Sequence, residues 1–166
     1  MERAPNDLTF RPATRSDCAL ILKFIRDLAE YENMAGDVVA TEESLAKWLY
    51  DKHSAETIFA VLGGVEVGFA LYFTNFSTFL GRAGVYLEDM FVLPEYRGRG
   101  VGSALLRELA RVTVSRGCGR LEWQCLDWNK PSIGFYESLG AKAQDSWTTY
   151  RLSGDALEAL ALQEQR

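Results

Sequence analysis

Residues 85–116, "VYLEDMFVLPEYRGRGVGSALLRELARVTVSR", constrain the fold more than any other stretch of this chain. An apolar run from Val85 to Leu93 is stopped by Pro94, and a helical pattern from Val101 to Arg116 puts Leu105, Leu106, Leu109 and Val112 on one face. Between them, Gly98, Gly100 and Gly102 alternate with Arg97, Arg99 and Val101. A strand that passes through such a loop straight into a helix points to an α/β fold. Removing Cβ at alternate positions lets backbone N–H groups approach a ligand, and a helix N-terminus favours an anion there. Arg97 and Arg99 add the charge a phosphate site requires. Three idle glycines would cost roughly 1 kcal/mol each in ordering entropy, so the loop reads as a binding feature rather than a bare turn.

The flanking sequence supplies the rest of a sheet. "LTFRPA" predicts a short strand ending near Pro12, followed by a helix capped by Ser16 or Asp17 with Cys18, Ile21, Leu22, Ile25, Leu28 and Ala29 on its apolar face. Thr41, followed by Glu42 and Glu43, suits the start of a shorter helix that buries Leu45, Trp48 and Leu49. "IFAVLGGVEVGFALYF", residues 58–73, reads as a hairpin turning at Gly63 and Gly64. "RLEWQCL" alternates like a strand, Asn129 caps a helix from Lys130 to Leu139, and Gly140 ends it. A last strand is expected over Ser146 to Leu152, before a closing helix in "DALEALALQ". The result is an α/β fold: a mixed, mostly antiparallel sheet with helices on both faces. A flexible tail is expected over 1–7 and one domain over 8–166, a length that buries one sizeable core.

Composition narrows the function. A formal net charge of −5 argues against a nucleic-acid partner, whose footprint is basic, and is compatible with a cationic substrate. Cys18, Cys118 and Cys125 show neither metal-ligand spacing nor a disulfide framework, so reduced thiols in a cytoplasmic protein are expected, with no metal. No secretory core opens the chain, and residues 58–73 are too interrupted for a membrane span, so no membrane partner is expected. His53, the one histidine, lies in a polar loop and reads as solvated, and Cys125 reads as packing rather than an acyl relay.

Two common phosphate loops fail to fit. A nucleotide P-loop ends in Gly-Lys-Ser/Thr, and "GVGSALL" has no lysine. A dinucleotide loop requires G-x-G-x-x-G with an acid closing the next strand about 20 residues on, whereas this spacing is G-x-G-x-G and Asp127 comes too late. The run from Arg97 to Gly102 with its helix resembles the coenzyme A pyrophosphate loop of the GNAT superfamily of N-acetyltransferases. The blocks "RPAT..DC..IL.FIRDLAEYENM", "YLEDMFVLPEYRGRGVGS" and "LDWNKPSIGFYESLGA" are similar to the spermidine/spermine (diamine) and thialysine acetyltransferases, and cover most of residues 10–150. The match is less distinctive over 50–84 and in the C-terminal tail.

That resemblance implies a single-domain GNAT-like fold and transfer of the acetyl group of acetyl-CoA, by direct attack, to a primary amine. The acceptors it implies are a polyamine, a diamine or a thialysine-like amino acid. An alkylammonium with a pKa near 10.4 is neutral only about once in a few thousand molecules at pH 7, so attack requires a base. Glu88 and Asp89 are the candidates, and adjacent strand residues point to opposite faces, so at most one lines a given cleft. The resemblance selects Glu88, acting through water and attracting the cation, and leaves Asp89 open. It implies Tyr136 as the acid that protonates the leaving thiolate. For the coenzyme it implies the backbones of Met90, Phe91 and Val92, the loop Arg97, Gly98, Arg99, Gly100, Val101, Gly102 and Ser103, and also Asn129 and Ser132. Tyr31 and Glu32 match positions that contact the amine. The resemblance also implies a homodimer. Protein or peptide acetylation and non-catalytic acyl-CoA binding are the alternative functions.

Overall fold

Gly63 and Gly64 close the expected hairpin: β2 (Glu56–Leu62) and β3 (Val65–Ser77) pair antiparallel in the computed structural model, which describes residues 4–163. β1 (Thr9–Pro12) and β4 (Arg82–Val92) flank them, both antiparallel, and β5 (Leu121–Trp123) adds in parallel, giving a five-stranded sheet in the order β1-β2-β3-β4-β5. Of the tail expected over 1–7, residues 1–3 lie outside the described residues; Asn6 and Asp7 form a turn leading to β1. The described residues fall into two units, one within Met1–Gln124 and the other within Cys125–Arg166.

In the first unit, helices cover both faces of the sheet. α1 (Cys18–Tyr31) lays Ile21 and Phe24 on Phe59, Phe69, Leu71 and Phe91. Phe24, which lies off the apolar face read from the sequence, is at the centre: its ring is 5.2 Å from Phe69 and 5.9 Å from Phe59, and it is 1% exposed. α3 (Val101–Ser115) covers the opposite face with Leu105 against Gly68. A Cβ on Gly68 would lie 2.9 Å from the Phe91 carbonyl oxygen and 3.4 Å from Leu105 Cδ1, so only glycine admits this approach of helix and strands.

Local signals resolve differently at two helix starts. Asp17 precedes α1 but makes no cap bond to it; its carboxylate instead accepts from the Thr14 N–H at 2.7 Å and from both ends of the Arg11 guanidinium at 2.9 Å. Arg11 also reaches Glu66 at 2.8 Å, so β1, β3 and the start of α1 are stapled together, and Asp17 is held well below the usual carboxylate range. Thr41 caps α2 (Glu42–Leu45) as expected, accepting from the Ser44 N–H, but the helix then widens into a π-helical segment over Ala46–Asp51. The changed period keeps Leu49 buried and turns Trp48 outward, 54% exposed, against the expectation that both pack inward.

In the second unit, the Asn129 side chain accepts from the Ser132 N–H at 3.3 Å to start α4 (Lys130–Ser138), and Gly140, at φ 88°, follows its end. α5 (Gly154–Ala161) is the closing helix. The strand expected over 146–152 does not form among the described residues. Alternation in "SWTTYRL" marks a two-faced segment, but a strand also requires an edge to bond, and this unit contains none.

Candidate functional site

β4 is the strand on which the candidate residues converge, and its two edges differ. Against β3 it pairs along its whole length, from Ser77↔Arg82 to Gly68↔Val92; against β5 it pairs only at Val85, Tyr86 and Leu87. From Glu88 onward no strand among the described residues lies on its second edge. The Leu93 N–H donates to the Val67 carbonyl at 3.0 Å, and the Phe91 carbonyl lies against Gly68, so residues 91 and 93 bond inward to β3. Alternation then turns the N–H and C=O groups of Met90 and Val92 towards the open edge. Phe91, grouped with them on sequence, points its backbone to β3 and its ring into the core.

A β-bulge accompanies the change. Leu71 pairs with Asp89 and Tyr72 with Leu87, so Glu88 is an extra residue on β4. Leu87 consequently faces the α3 side, whereas Asp89, two residues later, faces the α1 side with Phe91. Simple alternation between Glu88 and Asp89 is therefore replaced by a local re-aiming. The Glu88 side chain is exposed. Asp89 is pushed up to about 6, first by burial and then by the negative charges of Glu88 and Glu32. Glu32 is itself raised by burial. It caps the C-terminus of α1, where the helix dipole adds further negative potential. Three carboxylates and a helix C-terminus thus act on one region, an arrangement a cation relieves.

The glycine loop leads away from the open edge. Gly98 and Gly100 hold φ values of 70° and 74°, the left-handed backbone that an L side chain resists, and Gly100 is the N-cap of α3. It supplies no side-chain cap, so the N–H groups of the first turn, Val101, Gly102 and Ser103, are left for an outside acceptor. Arg99 lies over the Tyr96 ring at 5.5 Å. Arg97 turns back: its Nε donates to the Val92 carbonyl at 2.9 Å, and its guanidinium sits over the rings of Tyr31 and Phe91. Tyr31, Phe91 and Arg97 border a cavity of about 370 Å³ together with Asp27, Glu30 and Pro94.

The structure therefore brings Glu32, Glu88 and Asp89 into one electrostatic group, and Tyr31, Phe91, Val92 and Arg97 into one contact set. Asn129, Ser132 and Tyr136 lie in the second unit, where Asn129 and Ser132 meet at the start of α4 and the Tyr136 ring is 5.3 Å from Phe135. Two features went unread in the sequence. The desolvation of Asp89 had a signal, a charged pair inside an apolar run; the packing of Arg97 on Tyr31 had none, because the rings come from distant elements. Among the described residues, no group of three or more His, Cys, Asp or Glu side chains is placed to hold a metal ion, and no helix is long and apolar enough to cross a membrane.

Residues 22–141 match the acetyltransferase (GNAT) family. The chain is 39% identical to the thialysine N-epsilon-acetyltransferase of Bos taurus, over 91% of this chain and 95% of that protein. It is 33% identical to an L-ornithine N5-acetyltransferase of Arabidopsis thaliana, over 90% of this chain and 86% of that protein. Among solved structures, an integron cassette protein from the mobile metagenome of V. cholerae superposes with a TM-score of 0.79 at 27% identity, covering 96% of this chain and all of the other.

Proposed function

This chain belongs to the acetyltransferase (GNAT) family, and from that premise we propose that it transfers the acetyl group of acetyl-CoA to a primary amine of a small cationic molecule: a polyamine, a diamine or a thialysine-like amino acid. The observation that carries the reading is the open edge of β4, at the backbone of Met90 and the N–H of Val92, leading into the uncapped first turn of α3. An extended pantetheine arm fits the first as an added strand, and a pyrophosphate fits the second. Acetyl-CoA supplies the activated thioester; the chain's own residues position it and manage protons.

In this proposal Asp89 and Glu32 receive the ammonium group, whose charge relieves their mutual repulsion, with Tyr31 beside them. Glu88, exposed on the bulge, takes the proton by way of water before attack. Tyr136 donates a proton to the departing thiolate. Asn129 and Ser132 complete the coenzyme site, residues 8–166 act as one domain, and the active form is a cytoplasmic homodimer. Free thiol release from acetyl-CoA, measured with spermidine, putrescine, thialysine, lysine, ornithine and a peptide amine, tests the reading. Turnover with the small diamines or amino acids supports it. Turnover with the peptide alone makes the enzyme a protein acetyltransferase, and tight acetyl-CoA binding with no release makes the chain a regulator. A sedimentation profile with monomer only removes the dimer from the proposal.

A further inference from the structure

Arg97 stands in the coenzyme loop, where an arginine is expected to address phosphate, yet its side chain is engaged elsewhere. Its Nε donates to the Val92 carbonyl at 2.9 Å. Its guanidinium carbon lies 4.7 Å from the Tyr31 ring centroid and 4.9 Å from that of Phe91, in the corner those two rings form at 6.5 Å and 61°. Three elements meet there: the C-terminal turn of α1, the open end of β4, and the start of the glycine loop. One guanidinium thus lies close to two rings while its Nε donates to a carbonyl, a combination a compact lysine ammonium does not reproduce.

We infer that Arg97 is a positioning residue, a clasp that ties the amine-side helix end at Tyr31 to the coenzyme-side strand edge at Val92. It rests on the proposed acetyl-transfer function but assigns Arg97 a role other than phosphate binding. By occupying the Val92 carbonyl, Arg97 fixes where the free edge of β4 ends and so sets the register of the pantetheine arm. By packing on Tyr31 it makes the position of α1's last turn depend on the same loop. Arg97 acts on the donor through the backbone and ring it holds.

The experiment separates this from a charge contact with phosphate by using two donors, acetyl-CoA and S-acetylpantetheine, which has neither pyrophosphate nor 3′-phosphate. Arg97→Met and Arg97→Lys are each expected to raise KM about tenfold for both donors, the loss of one hydrogen bond and two ring contacts. Tyr31→Phe should keep that sensitivity to Arg97, and Tyr31→Leu should reduce it, because the clasp has then lost one of its rings. Rescue by lysine, or a penalty that disappears with S-acetylpantetheine, overturns the clasp in favour of a phosphate contact. Calorimetric binding of acetyl-CoA to the same variants reads the coupling without turnover. Wild-type protein that releases thiol from neither donor would therefore sink the proposed function while the Arg97–Tyr31 cycle still judged the clasp.

Discussion

The two halves of β4 share one strand and one neighbour but do different work. Arg82 to Leu87 is bonded to β3 and then to β5, and it contributes Val85 and Leu87 to the core. Glu88 to Val92 pairs, among the described strands, with β3 alone, begins with a bulge, and carries the carboxylates and a backbone edge whose Val92 carbonyl is taken by Arg97. The contrast shows where this fold keeps unsatisfied groups: at the point where β5 stops following β4. Backbone N–H and C=O groups are seldom left without partners inside proteins, so an open half-strand beside a buried one marks a place for a ligand.

Adjacent residues on either side of the boundary should separate stability from activity most strongly. Glu88→Gln is expected to lower kcat about 100-fold and to leave the melting temperature nearly unchanged because the side chain is exposed. Leu87→Ala, one residue earlier and 2% exposed, should cost about 2–5 kcal/mol of stability in urea unfolding while the folded fraction keeps its kcat. If the two variants behave alike, the division of β4 is wrong. Gly68→Ala places a methyl group 2.9 Å from the Phe91 carbonyl and should cost about 1–3 kcal/mol, read by the same unfolding curve.

Asp89 provides the smaller, pH-dependent test. Its folded value of about 6 lies above the ordinary 3.8, so the folded state binds the extra proton between those values. Stability from this group is present at low pH and is lost as pH rises through about 6. Asp89→Asn removes that loss and should stabilise the protein by about 3 kcal/mol well above pH 6, with little change near pH 4. The same protonation removes a negative charge from the proposed amine site, so wild-type KM for the amine should rise as pH falls below about 6. A KM whose pH dependence survives Asp89→Asn unchanged would take Asp89 out of the amine site.

Much of this was legible in the chain itself. The glycine pair at 63–64, the Thr41 and Asn129 caps, the faces of α1 and α3, and the loop from Arg97 to Ser103 are local signals, because turn, cap and period each depend on a few neighbouring residues. Other features were not, the missing strand over 146–152 among them, because a strand forms only where another chain offers an edge. The bulge at Glu88 has no mark of its own, since an extra residue is defined only by the strand opposite. Trp48 depends on a π-helical widening that shifts the period by a fraction of a turn. The packing of Arg97 on Tyr31 has no local mark, because Tyr31 lies 66 positions earlier.

The sequence by itself determined most of the helices and strands and where they turn, though not the absence of a strand over 146–152, and it marked a glycine loop after Pro94, because propensity, capping and glycine backbone freedom act over a few residues. Tertiary structure decided which edge of β4 stays open, which carboxylate loses water, and what Arg97 touches. Those outcomes depend on which chains lie alongside one another, and burial, pairing and stacking are properties of neighbours in space.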